Sequence, residues 1–182
     1  MQSEVIIAGF GGQGVMLAGQ LISYAAMDAG HHVVWLPSYG PEMRGGTANC
    51  TVVISDRPIA SPVVPTPGAV VVLNNPSLER FGPAVRPGGL VVINSSLVNV
   101  ELRRDDVRQV KVPANAIAQE CGTPKAANMV MLGAWLGASR ALAMQAVKDM
   151  IVHKFGHKEG WVELNHRALD RGWSLAAGED AA

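Results

Sequence analysis

Cysteine is nearly missing from this sequence: Cys50 and Cys121 are the two there are. That scarcity excludes a disulfide framework, and it excludes a four-cysteine zinc site or iron–sulfur cluster held by this chain alone. Net charge is missing as well. Lys+Arg number 15 and Asp+Glu number 15, so no basic field exists to hold a phosphate backbone, and nucleic acid is not expected as a partner. A membrane-spanning run is lacking too, because the longest uncharged apolar stretch, Ala126 to Ser139, is shorter than the roughly 20 residues a span needs. The opening Met1-Gln2-Ser3-Glu4 has no positive n-region, and glycines at 9, 11, 12 and 14 cut the apolar run behind it, so no secretory peptide is read. A reducing, cytoplasmic home away from membranes is expected.

What is present is a core former: 48% of the 182 residues are hydrophobic, enough for one domain over residues 1–175, with 176–182 expected as a flexible tail. Residues 4–9 form a β-branched run ending in glycine, the pattern of a strand buried on both faces. From Val15 to Ala29 apolar residues recur at helical spacing, and Gly30 falls where a left-handed cap is wanted. His32 to Leu36 reads as a second strand stopped by Pro37, and Ala48 to Ser55 as a third. Further strands are expected at 69–73, 90–93 and 107–112. Helices are expected at 77–81, 114–121, 126–140, 143–155 and 161–171. This alternation predicts an α/β fold, a Rossmann-like open and mostly parallel sheet with helices on both faces. Ligands gather at the carboxyl ends of strands in such sheets, which here are the segments 9–14, 38–46, 74–76 and 94–96.

Gly9-Phe10-Gly11-Gly12-Gln13-Gly14 satisfies G-x-G-x-x-G between a strand and a helix. Glycines there let the chain turn sharply and let a phosphate approach a helix N-terminus, whose free N–H groups favour anions. The plainer reading is that they only permit tight strand–helix packing. A dinucleotide site also wants an acid at the end of the second strand, and His32 to Pro37 ends without one. No Lys follows in the G-K-[ST] form of an ATP-hydrolysing loop.

Ser38 to Gly46 places Tyr39, Glu42 and Arg44 among three glycines, Gly45 included. Arg44 can fork onto a carboxylate or phosphate with Glu42 to orient it, or the two can simply brace a long loop. Gly9, Gly11, Gly12, Gln13, Gly14, Tyr39, Glu42, Arg44 and Gly45 are therefore the candidate cofactor-binding residues. No catalytic residue and no metal ligand is assigned.

Five segments together resemble a known family: Gly9-Phe-Gly-Gly-Gln-Gly-Val15, Ser38-Tyr-Gly-Pro-Glu-Met-Arg-Gly-Gly-Thr47, Val53-Ile-Ser-Asp56, Pro87-Gly-Gly89 and Asn128-Met-Val-Met-Leu-Gly133. The chain resembles the gamma subunit, or gamma domain, of the 2-oxoacid:ferredoxin (or flavodoxin) oxidoreductases. The resemblance implies a subunit of an enzyme that oxidatively decarboxylates a 2-oxoacid with coenzyme A, giving acyl-CoA, carbon dioxide and reduced ferredoxin. It further implies alpha, beta and delta partner subunits that carry the thiamine diphosphate and [4Fe-4S] clusters. A coenzyme A contact at Gly11–Gly14 and Arg44 follows from it, as does an isolated chain that is inactive and dimerises with itself. Residues 35–56 look most like the 2-oxoglutarate enzymes, with branched-chain oxoacids, pyruvate and indolepyruvate as alternatives. A stand-alone dinucleotide-binding oxidoreductase is the competing reading.

Other residues carry less. His153 and His157 have a ligand spacing, but Gly156 interrupts their helix and neither Cys nor Glu supports them. Cys50 and Cys121 are expected to be buried thiols, and Asn128, Met129 and Met131 to begin a core helix. Arg103, Arg104, Arg108 and Lys111, diluted by Asp105 and Asp106, read as an exposed charged turn.

Overall fold

Five β-branched runs and one mixed run become six strands of one sheet in the computed structural model, which describes residues 2–40 and 46–178. They are β1 (Gln2–Phe10), β2 (His32–Tyr39), β3 (Thr47–Ser55), β4 (Ala69–Val72), β5 (Leu90–Asn94) and β6 (Arg108–Val112). The spatial order is β2-β3-β1-β4-β5-β6. Only β3 runs against the rest, pairing antiparallel with both β1 and β2, while β1, β4, β5 and β6 pair in parallel. The mostly parallel α/β sheet expected from the alternation is thus present, with a β2–β3 hairpin on one flank.

Alternate strand residues feed two cores. The larger lies under α1 (Val15–Asp28), α3 (Ala114–Cys121), α4 (Ala127–Ser139), α5 (Met144–Phe155) and α6 (Trp161–Gly178), around Trp135, Met129 and Leu132. The smaller covers Ile6, Val70, Val72, Val91 and Ile93 with Leu78 of α2 (Asn75–Phe81) and with Val98. Helices therefore sit on both faces, unequally. Helix α4 is buried on nearly every side, from Ala127 to Gly137, as a central core helix must be. It lies so close to α6 that a Cβ on Gly133 would land on Leu169 O, and one on Gly172 on Val130 O.

Helix α1 closes with two bonds, His31 N–H to Ala26 O at 3.0 Å and Gly30 N–H to Met27 O at 2.9 Å, with Gly30 at φ 85°. This is the left-handed glycine cap the sequence pattern called for.

Three expectations need correction. Strand β2 does not stop at Pro37 but runs through it to Tyr39. Gly40 N–H bonds Thr47 O at 2.7 Å, one register step beyond Tyr39↔Ala48, so the odd-numbered residues of β2 aim their backbone groups at the open edge. Pro37 therefore lacks a donor only where no strand would use it. The tail does not begin at 176: α6 runs to Gly178 with Ala176 fully buried, and Arg108 donates to Ala176 O at 3.3 Å. Residues 179–182 lie outside the described residues. Arg104 is no loose surface charge either. It donates to Val85 O at 2.6 Å and Pro83 O at 3.2 Å, and its Nε pairs with Asp106 at 2.8 Å, pinning the turn after α2 to the segment before β6.

Candidate functional site at the carboxyl edge of the sheet

The chain leaves β1 through α1 towards β2 at one end of the sheet, whereas β4 lies on the other side of β1. The sheet order thus reverses between β1 and β4, the place where open α/β sheets take ligands. The glycine turn stands there. Gln13 N–H bonds Phe10 O at 3.1 Å, and Gly14, at φ 77°, caps α1 in the left-handed region. Gly14 O accepts from Ala18 N–H at 3.0 Å and from Asn128 Nδ2 at 3.2 Å, so the turn is bolted to the first turn of α4. Gly12, at φ 96°, is exposed. Among the described residues the N–H groups of Gly12 and Gly14 have no backbone partner.

The second loop joins the turn at its stem. Gly11 N–H donates to Gly46 O at 2.8 Å, and Phe10 pairs in register with Thr47. Tyr39, with 49% of its surface exposed, stands at the opposite leg of that stem. The structure thereby brings Gly9 to Gly14 next to the start and end of the 38–46 loop. Glu42, Arg44 and Gly45 lie outside the described residues.

Beside the turn opens a cleft of about 250 Å³ lined by Gly12, Gln13, Leu73, Asn94, Leu97, Asn115, Pro124, Lys125 and Ala127. Among the described residues Lys125 is the one charged side chain in that lining, and it is exposed. Asn94, fully buried at the end of β5, donates from Nδ2 to Asn115 Oδ1 at 2.8 Å. Its Oδ1 accepts from Ser96 N–H at 3.2 Å, and Ser96 Oγ accepts from Asn115 N–H at 3.2 Å. Thr123 Oγ1 takes the Lys125 N–H at 3.3 Å, fixing the short turn that carries the lysine. The starts of α1, α3 and α4 all border this cleft, so partial positive charge from three helix ends adds to one ammonium. The arrangement suits an anion and, among the described residues, includes no carboxylate.

Sequence reasoning picks out the turn and the loop as candidates and does not pick out Lys125 or Asn115, which the structure places in the cleft beside them. Asn94 belongs to the polar strand end 94–96, whereas Thr123-Pro124-Lys125 carries no signal beyond a helix boundary. The two histidines stay apart from all this, His153 exposed on the last turn of α5 and His157 beyond its Gly156 cap. Cys50 is buried under α1, its thiol pushed up to about 11 by loss of solvent. Among the described residues no three metal-binding side chains converge, and no helix is long and apolar enough to cross a membrane.

Fold and cleft together define an open α/β domain with a cleft at the carboxyl edge of its sheet. A profile of the family described as pyruvate ferredoxin/flavodoxin oxidoreductase matches residues 4–175, and the chain belongs to that family. It is 41% identical over 170 residues to the ketoisovalerate oxidoreductase subunit VorA of Methanothermobacter marburgensis, covering 93% of this chain and 35% of that one. It is 34% identical over 179 residues to the 2-oxoglutarate synthase subunit KorC of Methanocaldococcus jannaschii, covering 97% of this chain and 95% of that one. Among solved structures it is similar to the 2-oxoglutarate:ferredoxin oxidoreductase of Magnetococcus marinus with 2-oxoglutarate, coenzyme A and succinyl-CoA bound. That match has a TM-score of 0.89 at 26% identity and covers 97% of this chain and 31% of the other. The chain thus spans about a third of VorA and nearly all of KorC.

Proposed function

We propose that this chain is the gamma-type subunit of a cytoplasmic 2-oxoacid:ferredoxin oxidoreductase, holding the phosphate end of coenzyme A while the chemistry proceeds on partner chains. The observation that carries the reading is the anion-favouring cleft at the switch point, set against the stem of the Tyr39–Gly46 loop. The free N–H groups of the turn, Lys125 and Arg44 are the groups that meet the phosphates. Two buried cysteines do not fit a [4Fe-4S] cluster, which, with the thiamine diphosphate, is assigned in this reading to alpha, beta and delta partners. Relatives in which this domain is one third of a longer chain support such a partnership, since what is fused there must dock here. Phe10, Leu36 and Tyr39 are exposed beside the same edge and give partners, or a second copy of the isolated chain, an apolar surface.

A free-standing dinucleotide enzyme is disfavoured by the end of β2, where Ser38 and Tyr39 stand in place of the ribose-binding acid. The test is anaerobic capture of the tagged chain from its own cells, followed by 2-oxoacid- and coenzyme A-dependent reduction of a viologen dye. Copurifying chains and activity are expected. 2-Oxoglutarate is the proposed oxoacid, with ketoisovalerate as the rival that the VorA similarity favours. Recovery of a bare, inactive chain would sink the proposal.

A further inference from the structure

The glycines of the turn do not all face outward. A Cβ on Gly9 would lie 2.5 Å from Gln13 Oε1, so the first glycine is matched by a side chain of the same turn. Gln13 Oε1 accepts the Phe10 N–H at 2.6 Å, and Gln13 Nε2 reaches Leu73 O at 3.4 Å. Phe10 ends β1 and Leu73 follows β4, so one carboxamide spans the gap at which the sheet order reverses. In a dinucleotide fold that gap receives the pyrophosphate, and the glycines are small so that it can. Here the seat is already taken. Gly12 is different: its Cβ position has nothing within 4 Å, and it borders the cleft that holds Lys125 and Asn115.

We infer that Gln13 determines where a phosphate group binds, closing the crevice between β1 and β4 and leaving the outer rim of Gly12, Asn115 and Lys125 as the seat for a nucleotide's phosphates. The inference rests on the reading that this edge receives a phosphorylated nucleotide such as coenzyme A. It explains why a G-x-G-x-x-G turn in the right context serves no nicotinamide chemistry: the fingerprint is consumed by the protein's own packing. Gln13 is thus a specificity residue that acts by occupation, and Lys125 is the contact.

The experiment is calorimetric titration of the purified chain with ADP as the probe, for the wild type, Lys125→Ala and Gln13→Ala, each shown to be folded by circular dichroism. Lys125→Ala is expected to weaken ADP by about tenfold, the worth of one charge-assisted contact. Gln13→Ala is expected to leave ADP binding as tight or to tighten it by roughly threefold, because the blocked seat opens. If Gln13→Ala does not fold, Gln13→Met fills the seat without hydrogen bonds and is expected to bind ADP as the wild type does. Loss of binding in either Gln13 variant comparable to that in Lys125→Ala would make the carboxamide a ligand contact and overturn the inference. So would an unchanged affinity in Lys125→Ala, or no ADP binding by any form at millimolar concentration. Assembly and coenzyme A-dependent dye reduction by the captured complex are read separately. If they hold while the ADP pattern fails, the inference falls and the functional reading stands; if they fail, the functional reading falls whatever ADP does.

Discussion

Asn128 Nδ2 and Gly14 O are 3.2 Å apart, a contact between residues separated by 114 positions of sequence. Asn128 is 5% exposed, and its Oδ1 takes the N–H of Met129 at 3.0 Å, so the side chain serves α4 with one atom and the cap of α1 with the other. A Cβ on Gly14 would strike this amide, which makes the last glycine of the turn and Asn128 a matched pair. The position of the turn over the cleft therefore depends on α4, far along the chain.

That pairing predicts the effect of changing it. Asn128→Ala leaves Gly14 O with the Ala18 N–H alone and is expected to cost about 0.5–1.5 kcal/mol. Asn128→Asp costs more at neutral pH, because a carboxylate then faces a carbonyl with no donor between them. Urea unfolding of the two variants measures both values. Asn128→Asp matching the wild type would show that the amide donor contributes nothing.

The contact between α4 and α6 makes a second prediction. Gly133 and Gly172 lie at a helix crossing where each Cβ would meet a carbonyl of the opposite helix. Gly133→Ala and Gly172→Ala must push the helices apart, and overpacking of that kind costs about 1–3 kcal/mol, outweighing alanine's better helix propensity. Gly178→Ala, with nothing within 4 Å, serves as the control and is expected to melt with the wild type. Calorimetric melting temperatures decide it, the crossing variants falling by several degrees.

Cys50 supplies a third. Desolvation holds its thiol up at about 11, so below pH 9 it is protonated as well as inaccessible. Cys121 is buried beside the end of α3. At pH 8 an aromatic disulfide reagent should find no fast-reacting thiol in the native protein and two after unfolding. A rapid native reaction would mean that one of the two sites opens.

How far the sequence reveals this molecule differs from element to element. All six strands were legible, because β-branched runs such as Val70-Val71-Val72 end in glycine, proline or asparagine. Their order was not, since the period of a strand says nothing of its neighbour, and nothing in the spacing marks β3 as the reversed strand between β1 and β2. Pro37 misled because strand rules assume a central strand, and β2 is at an edge. The turn was legible as a motif, yet what fills it was not: Gln13 reads as a variable position of G-x-G-x-x-G until its carboxamide is seen to bridge Phe10 and Leu73. Lys125 and Asn115 line the cleft only because β5 ends, and α3 and α4 begin, at the same edge. Arg104 was hidden for a similar reason, as its three carbonyl acceptors come from a turn about twenty residues earlier.

Arg104 and Asp106 form a pair whose contribution depends on pH. The guanidinium beside Asp106 holds its carboxyl below the ordinary carboxylate value, and the carboxylate in turn raises Arg104. A carboxyl whose folded pKa is lowered contributes stability above its unfolded pKa and loses it as pH falls through the folded one. The pair is solvent-exposed at Asp106, so its direct worth is modest and screened by salt. Its leverage lies in Arg104, which also closes three carbonyls and which a neutral Asp106 orients less firmly. Asp106→Asn is therefore expected to lower the urea midpoint at pH 7 and to converge on the wild type in acid, as pH falls through the lowered folded pKa and the native carboxyl is protonated too. Arg104→Met should lower the midpoint both at pH 7 and in acid, since the carbonyls of Gly82, Pro83 and Val85 lose their donor regardless of charge. A difference between Asp106→Asn and the wild type that persisted unchanged in acid would show that the carboxylate acts through its shape and not through its charge.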